Sequence, residues 1–88
     1  LDAYSLRIKT SAGRELERVA SKRDRGRIVS RIGALAGDPR PPGCEKLAGA
    51  SNAWRVRQGD YRILFTIDDE IRLVEVFKIG HRREVYRQ

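Results

Sequence analysis

From Ala3 to Thr10 the chain alternates Tyr4, Leu6 and Ile8 with Ser5, Arg7 and Lys9, the period-two pattern of a half-buried strand. The period then lengthens. Thr10 or Ser11 offers a side-chain oxygen as a helix N-cap, Glu15 and Glu17 lie near the positive end of the dipole, and Leu16, Val19 and Ala20 share one stripe. A break near Lys22 to Asp24 follows, with Asp24 able to cap a second helix. In that helix Ile28, Val29, Ile32, Leu35 and Ala36 recur at the helical period, while Arg25, Arg27 and Arg31 face out. Two helices joined by a short turn predict an antiparallel hairpin. Gly37-Asp38-Pro39-Arg40-Pro41-Pro42-Gly43 ends it, because glycine suits the position after a helix and proline cannot continue one.

Three further strands are predicted. Trp54 to Gln58 and Tyr61 to Asp68 alternate, whereas Ile71 to Ile79 is more uniformly apolar, as suits a strand buried on both faces. Gly59-Asp60 has the chemistry of a two-residue hairpin turn. That turn sets Gln58 opposite Tyr61, and therefore Arg57 opposite Arg62, with Arg55 on the same face opposite Leu64. Trp54, Val56, Ile63 and Phe65 then point the other way, onto the helices. The predicted fold is α+β: an N-terminal strand, an α-helical hairpin and a three-stranded antiparallel meander. These strands form one sheet with the helices packed on one face, and a short C-terminal turn or helix closes the chain.

At 88 residues a second core would leave neither half enough buried surface, so residues 1–88 read as a single domain. A net charge of +7 on so small a domain points to a polyanionic partner, nucleic acid before an anionic membrane. The membrane reading needs bulky apolar residues opposite a basic helix face, a pattern that is poor here. No apolar run approaches the roughly 20 residues that cross a bilayer. There is no secretory signal pattern at the start, and the lone Cys44 cannot form an internal disulfide, so a cytoplasmic location is expected. The arginines carry more information than the net charge. Like charges directly opposed on neighbouring strands are destabilising, so a fold that accepts Arg57 against Arg62 is expected to use them on an anion.

One histidine and one cysteine cannot build a usual zinc site, and Asp68-Asp69-Glu70 reads as turn chemistry. No phosphate-binding GxxxxGK[ST] or GxGxxG motif is present, so neither metal nor cofactor is expected. Metal-free RNA cleavage needs a base for the ribose 2′-hydroxyl, cations around the scissile phosphate and an acid for the departing 5′-oxygen. Arginine suits the second role, because its planar fork grips phosphate oxygens in two places. Tyr86 can act as the base if neighbouring arginines lower its pKa from about 10. Histidine is the usual residue for such work, but a single loop histidine is more often structural or solvated, so His81 is the weaker candidate.

Lys46-Leu47-Ala48-Gly49, Trp54-Arg55-Val56-Arg57, Gly59-Asp60-Tyr61-Arg62 and the closing Gly80-His81-Arg82-Arg83-Glu84-Val85-Tyr86 stand in the order and spacing of one family. With the strand and helical hairpin before them, they make the whole chain resemble the RelE branch of the RelE/ParE toxin superfamily. The resemblance implies the toxin of a type II toxin–antitoxin pair, a ribosome-dependent mRNA endoribonuclease. Such a toxin cuts the A-site codon without metal, leaves a 2′,3′-cyclic phosphate and inhibits translation. It further implies Arg62, Arg82 and Tyr86 as catalytic, and Arg55 and Arg57 as the phosphate-binding cations of the second strand. Lys46 and His81 are expected to join that RNA-binding set. Well-known family members carry lysines at the two strand positions; arginine keeps the charge but cannot transfer a proton. An acidic antitoxin and ribosome-held mRNA are the implied partners. The alternatives are a ParE-like toxin that binds DNA gyrase without nuclease chemistry, and an inactive relic that only binds an antitoxin.

Overall fold

The computed structural model describes residues 3–49 and 51–85. Strand β1 (Ser5–Ile8) leads into helices α1 (Thr10–Glu17) and α2 (Lys22–Ala34). Strands β2 (Glu45–Lys46), β3 (Ala53–Gln58), β4 (Tyr61–Asp68) and β5 (Leu73–His81) follow, and a short helix α3 (Arg82–Val85) comes last. The strands form one sheet in the order β1-β5-β4-β3-β2, with β1 parallel to β5 and the other neighbours antiparallel. This is the predicted α+β architecture with one addition. β2 is a two-residue strand on the outer edge of β3, too short to leave a periodic signature.

One face of the sheet carries the core. Val56, Ile63, Phe65, Ile67, Val74, Val76 and Ile79 meet Ala12 and Val19 from the first helical segment and Ile28, Ile32 and the C-cap Leu35 from the second, all 5% exposed or less. Each such aliphatic or phenyl side chain contributes roughly 1.5–3 kcal/mol through its burial. The alternation in β3 and β4 therefore places the apolar residues as the sequence predicts, with Trp54 half-buried against the same cluster.

The helix ends differ from the sequence reading. Lys9 is the N-cap of α1 and makes no side-chain cap, so neither Thr10 nor Ser11 has that role. Helix α1 stops at Glu17, and the second cap is Ser21, whose Oγ accepts from the Asp24 amide over 3.1 Å. Asp24 instead sits in the first turn, where its charge favours the helix dipole. Ala20 is exposed, and Val29 is 53% exposed rather than part of the core stripe. Only Ile28, Ile32 and Leu35 of that run reach the sheet fully. Arg27 faces out, but Arg31 is half-buried and Arg25 turns back to donate to the carbonyl oxygens of Val19 and Ala20, fastening the end of the first helical segment. The third long strand begins later than expected: Ile71 is 67% exposed, and Arg72 takes the left-handed φ of 53° in the turn before β5.

That turn anchors a clasp at one end of the molecule. Asp68 Oδ1 accepts from the amides of Glu70 and Ile71. Asp69 accepts from the Tyr4 hydroxyl at 2.5 Å and from both terminal nitrogens of Arg40 at 3.3 and 2.9 Å. Arg40 also lies over the Trp54 ring and Arg72 over the Tyr4 ring. The clasp ties the segment before β1, the loop after α2 and the β4–β5 turn together. It leaves the opposite end, at the β3–β4 turn, for the arginines.

Candidate functional site

Gly59 takes a φ of +61°, which glycine alone adopts without steric cost, and the two-residue turn fixes the β3–β4 ladder. Gln58 pairs with Tyr61, Arg57 with Arg62 and Arg55 with Leu64, the register derived from the sequence. Arg55, Arg57 and Arg62 thus share the face turned away from the helices. Their settings differ. Arg57 is exposed, Arg55 is half-buried, and Arg62 is only 4% exposed, with Nη1 donating to the Tyr61 carbonyl over 3.1 Å. Across β5, Arg62 faces Gly80, which has no side chain to crowd it. Gly80 makes no bend in the chain. It is buried inside β5, and the chain leaves the strand only after His81.

A carboxylate stands among these cations. Glu45 of β2 pairs with Arg55, and its Oε1 accepts from Arg55 Nη2 over 2.8 Å. The hydrogen bond and charge of Arg55, with smaller effects from Arg57 and Arg62, hold the Glu45 carboxyl below the ordinary carboxylate range. Glu45 is therefore ionised at neutral pH. The sequence reading missed it, because a two-residue strand shows no period and only the register of β2 brings Glu45 to this face.

The C-terminal segment is tied to the same end of the sheet. The Arg82 amide donates to the Asp60 carbonyl over 2.8 Å, so α3 starts beside the β3–β4 turn and the exposed Arg82 joins the arginine end. His81 supports the chain locally, its Nδ1 accepting from the Arg83 amide over 3.3 Å at the start of α3. Its ring meets Tyr61 edge-on, with centroids 5.7 Å apart. Both rings line a hollow of about 390 Å³ with Glu15 and Val19, on the helix side of the sheet. Glu15 closes the β5 edge there, accepting from the Ile79 amide at 2.9 Å and from Lys78 Nζ at 3.0 Å.

Of the residues singled out from the sequence, Arg55, Arg57, Arg62 and Arg82 come together at one end of the molecule. His81 does not share the arginine face. Lys46 pairs with Trp54 and so projects to the helix side, away from Arg55. Tyr86 lies outside the described residues. What the assembled groups can do is bind an anion: a buried guanidinium flanked by two others, with the start of α3 held at the same end, concentrates positive charge there, and the planar fork of arginine matches phosphate. Among the described residues, no helix is long and apolar enough to cross a membrane.

The model of the family described as the ParE toxin of type II toxin–antitoxin systems matches residues 4–86. The chain is 30% identical to toxin RelE of Mycobacterium tuberculosis, over 96% of its own length and 87% of that protein's. It is 28% identical to toxin RelG of the same organism, over 97% and 98%. Among solved structures, the toxin–antitoxin complex RelBE2 of M. tuberculosis matches with a TM-score of 0.79 at 29% identity, covering 91% of this chain and 99% of the matched one. The archaeal RelE–RelB complex of Pyrococcus horikoshii shares the fold, with a TM-score of 0.81 at 22% identity over 91% and 96%. A sheet register, an arginine face and a whole-length family match agree: the chain belongs to the ParE toxin family and is a type II toxin–antitoxin toxin of the RelE/ParE superfamily.

Proposed function

We propose that this toxin is a ribosome-dependent endoribonuclease that cuts mRNA without a metal ion. The observation that carries this reading is the gathering of Arg55, Arg57, Arg62 and Arg82 at one end of the sheet, with Arg62 buried and Arg82 fastened to the turn between β3 and β4. In the proposed reaction the ribose 2′-oxygen loses its proton and attacks the adjacent phosphorus. The bond to the 5′-oxygen breaks, and that oxygen takes up a proton from water as it leaves, giving a 2′,3′-cyclic phosphate. Negative charge grows on the phosphate oxygens as the new bond forms, and fixed guanidinium groups stabilise it there. Arginine keeps its proton throughout, so these four groups act by charge and hydrogen bonding alone. The resemblance assigns Tyr86 either as the base or as a stacking group that orients the nucleotide.

Induced expression followed by primer extension on a translated transcript tests the reading. Cuts within translated codons, lost in Arg82→Ala and in Tyr86→Phe with the fold retained, are the expected result. A fully toxic Tyr86→Phe protein removes tyrosine as the base. The ParE description of the matching family supports a second reading, a gyrase-binding toxin without nuclease chemistry. DNA-damage signalling with intact mRNA is its signature in the same experiment. The solved relatives RelBE2 and RelE–RelB are complexes with an antitoxin, which supports an acidic antitoxin as the partner of this basic chain.

A further inference from the structure

The open face of the sheet carries a second hollow, built differently from the arginine end. Ala53, Thr66 and Glu75 form one cross-strand row, Ala53 opposite Thr66 and Thr66 opposite Glu75. This row lies four residues along β4 from Arg62 on the same face, a span of roughly 13 Å at the rise of an extended strand. Together with Lys9 and Phe77 it borders a hollow of about 490 Å³.

Phe77 is the telling residue. Leu64 pairs with Lys78 and Phe65 with Val76, so Phe77 is the extra residue of a bulge in β5. Bulges re-aim side chains, and this one turns a half-buried aromatic ring into the hollow. Among the described residues, Phe77 does not belong to the hydrophobic cluster under the helices. The floor is small, since Ala53 is buried and adds only a methyl group. One wall is fixed: Asn52 and Ile67 exchange two hydrogen bonds of 3.1 Å, Asn52 Nδ2 to the Ile67 carbonyl and the Ile67 amide to the Asn52 carbonyl. The Lys9 amide is bonded to the Val76 carbonyl at 2.9 Å, which holds the backbone of Lys9 beside the hollow it lines. Glu75 is half-buried, with Arg7 at a loose 3.8 Å. An aromatic ring, an acceptor-only carboxylate and a lysine thus line one hollow, on the same face as the row of arginines.

We propose that this hollow is a nucleobase subsite of the RNA-binding face, a reading that rests on RNA being the ligand of the arginine end. A single-stranded base stacks on Phe77, the surface that sequence-tolerant nucleic-acid sites use beside a basic track. Glu75 only accepts hydrogen bonds, so it favours bases with an exocyclic amino group, adenine, cytosine and guanine, over uracil. Lys9 contacts the backbone of the same nucleotide. The strand of RNA runs along β4, with its phosphate at Arg62 and a neighbouring base over Thr66.

The test uses the whole toxin and 2′-O-methyl hexanucleotides of A, C or U, which cannot be cut, with affinity read by fluorescence anisotropy. The wild-type protein binds the A and C oligomers several-fold more tightly than U. Phe77→Leu weakens binding of all three roughly tenfold, the loss of one stacked base. Glu75→Gln brings the A-to-U ratio close to one while binding of U is kept. Circular dichroism melting of each variant separates loss of binding from loss of fold, and Thr66→Val serves as a second, milder variant at the same floor. Equal affinity of Phe77→Leu and wild type, an unchanged A-to-U ratio in Glu75→Gln, or no binding of any oligomer by the wild type overturns the subsite. Because no oligomer can be cleaved, a toxin that binds as described but never cuts mRNA sinks the nuclease reading alone.

Discussion

The backbone amide of Arg82 donates to the carbonyl oxygen of Asp60 over 2.8 Å, joining the C-terminal segment to the turn between β3 and β4. The turn therefore both sets the arginine ladder in register and holds the start of α3. Gly59→Ala forces an alanine to a φ of +61° and is expected to lower stability by about 1–2 kcal/mol, measured by urea unfolding. Toxicity should fall further than that loss explains, because the anchor of Arg82 moves with the turn. An equally toxic Gly59→Ala protein argues against the anchor.

Arg62 is the buried member of the arginine set, so its geometry matters as well as its charge. Arg62→Lys keeps the charge but replaces a rigid two-pronged donor with a single ammonium. A drop in mRNA cutting of roughly 10²-fold, the scale of losing one fixed donor to a developing anion, is expected for the lysine variant. Arg57→Lys, at an exposed position, should lose much less. Equal losses at the two sites would contradict the distinction.

Glu45 is an ionised carboxylate bonded to Arg55, and it lowers the net positive charge of the face. Glu45→Gln is expected to tighten binding of single-stranded RNA and to steepen the log–log salt dependence by about 0.7, the increment for one more cation engaged with phosphate. Oligonucleotide titrations across a salt series measure both. A slope identical to that of wild type means that Glu45 does not compete for Arg55.

The Asp69 clasp makes stability depend on pH. Hydrogen bonds from Arg40 and then Tyr4 hold the Asp69 carboxyl below the ordinary carboxylate range. The folded protein thus binds that proton less readily than the unfolded chain. The clasp's contribution is complete above the unfolded carboxylate pKa of about 3.9 and disappears as pH falls through the lower folded value. The bond to Asp69 raises the Tyr4 pKa, so its contribution is present below about pH 10 and is lost above the raised value. Asp69→Asn should melt below wild type at neutral pH, with the gap closing on acidification and narrowing with added salt because the groups are exposed. Melting curves across pH check the sign; a gap that widens in acid refutes it.

Neighbouring residues of α2 offer a test of packing. Ile28 is fully buried and Val29 is 53% exposed. Ile28→Ala should cost about 2–5 kcal/mol, whereas Val29→Ala should stay within about 0.5 kcal/mol. Comparable losses in denaturant unfolding would mean that Val29 is covered in solution.

Local and periodic features are legible in the sequence alone. Strict alternation in Trp54 to Gln58 and Tyr61 to Asp68, closed by Gly59-Asp60, fixes both register and faces, because a one-residue slip would expose Val56, Ile63 and Phe65. That is why Arg55, Arg57 and Arg62 are readable as one cluster. The family motifs add Arg82 on the same reasoning from order and spacing. Long-range packing settles what no period encodes. Val29 satisfies the helical pattern as well as Ile28 does, yet α2 has only one face on the sheet. Asp24 and Ser21 can each cap a helix, and the path of the α1–α2 turn selects Ser21. Glu45 reaches the arginines only because a two-residue strand docks on the edge of β3. Phe77 reads as core in an apolar run, until the bulge turns it to the open face. For Val29, Glu45 and Phe77, packing between distant segments decided what neighbouring residues left open, because burial and strand pairing depend on contacts that local sequence does not make.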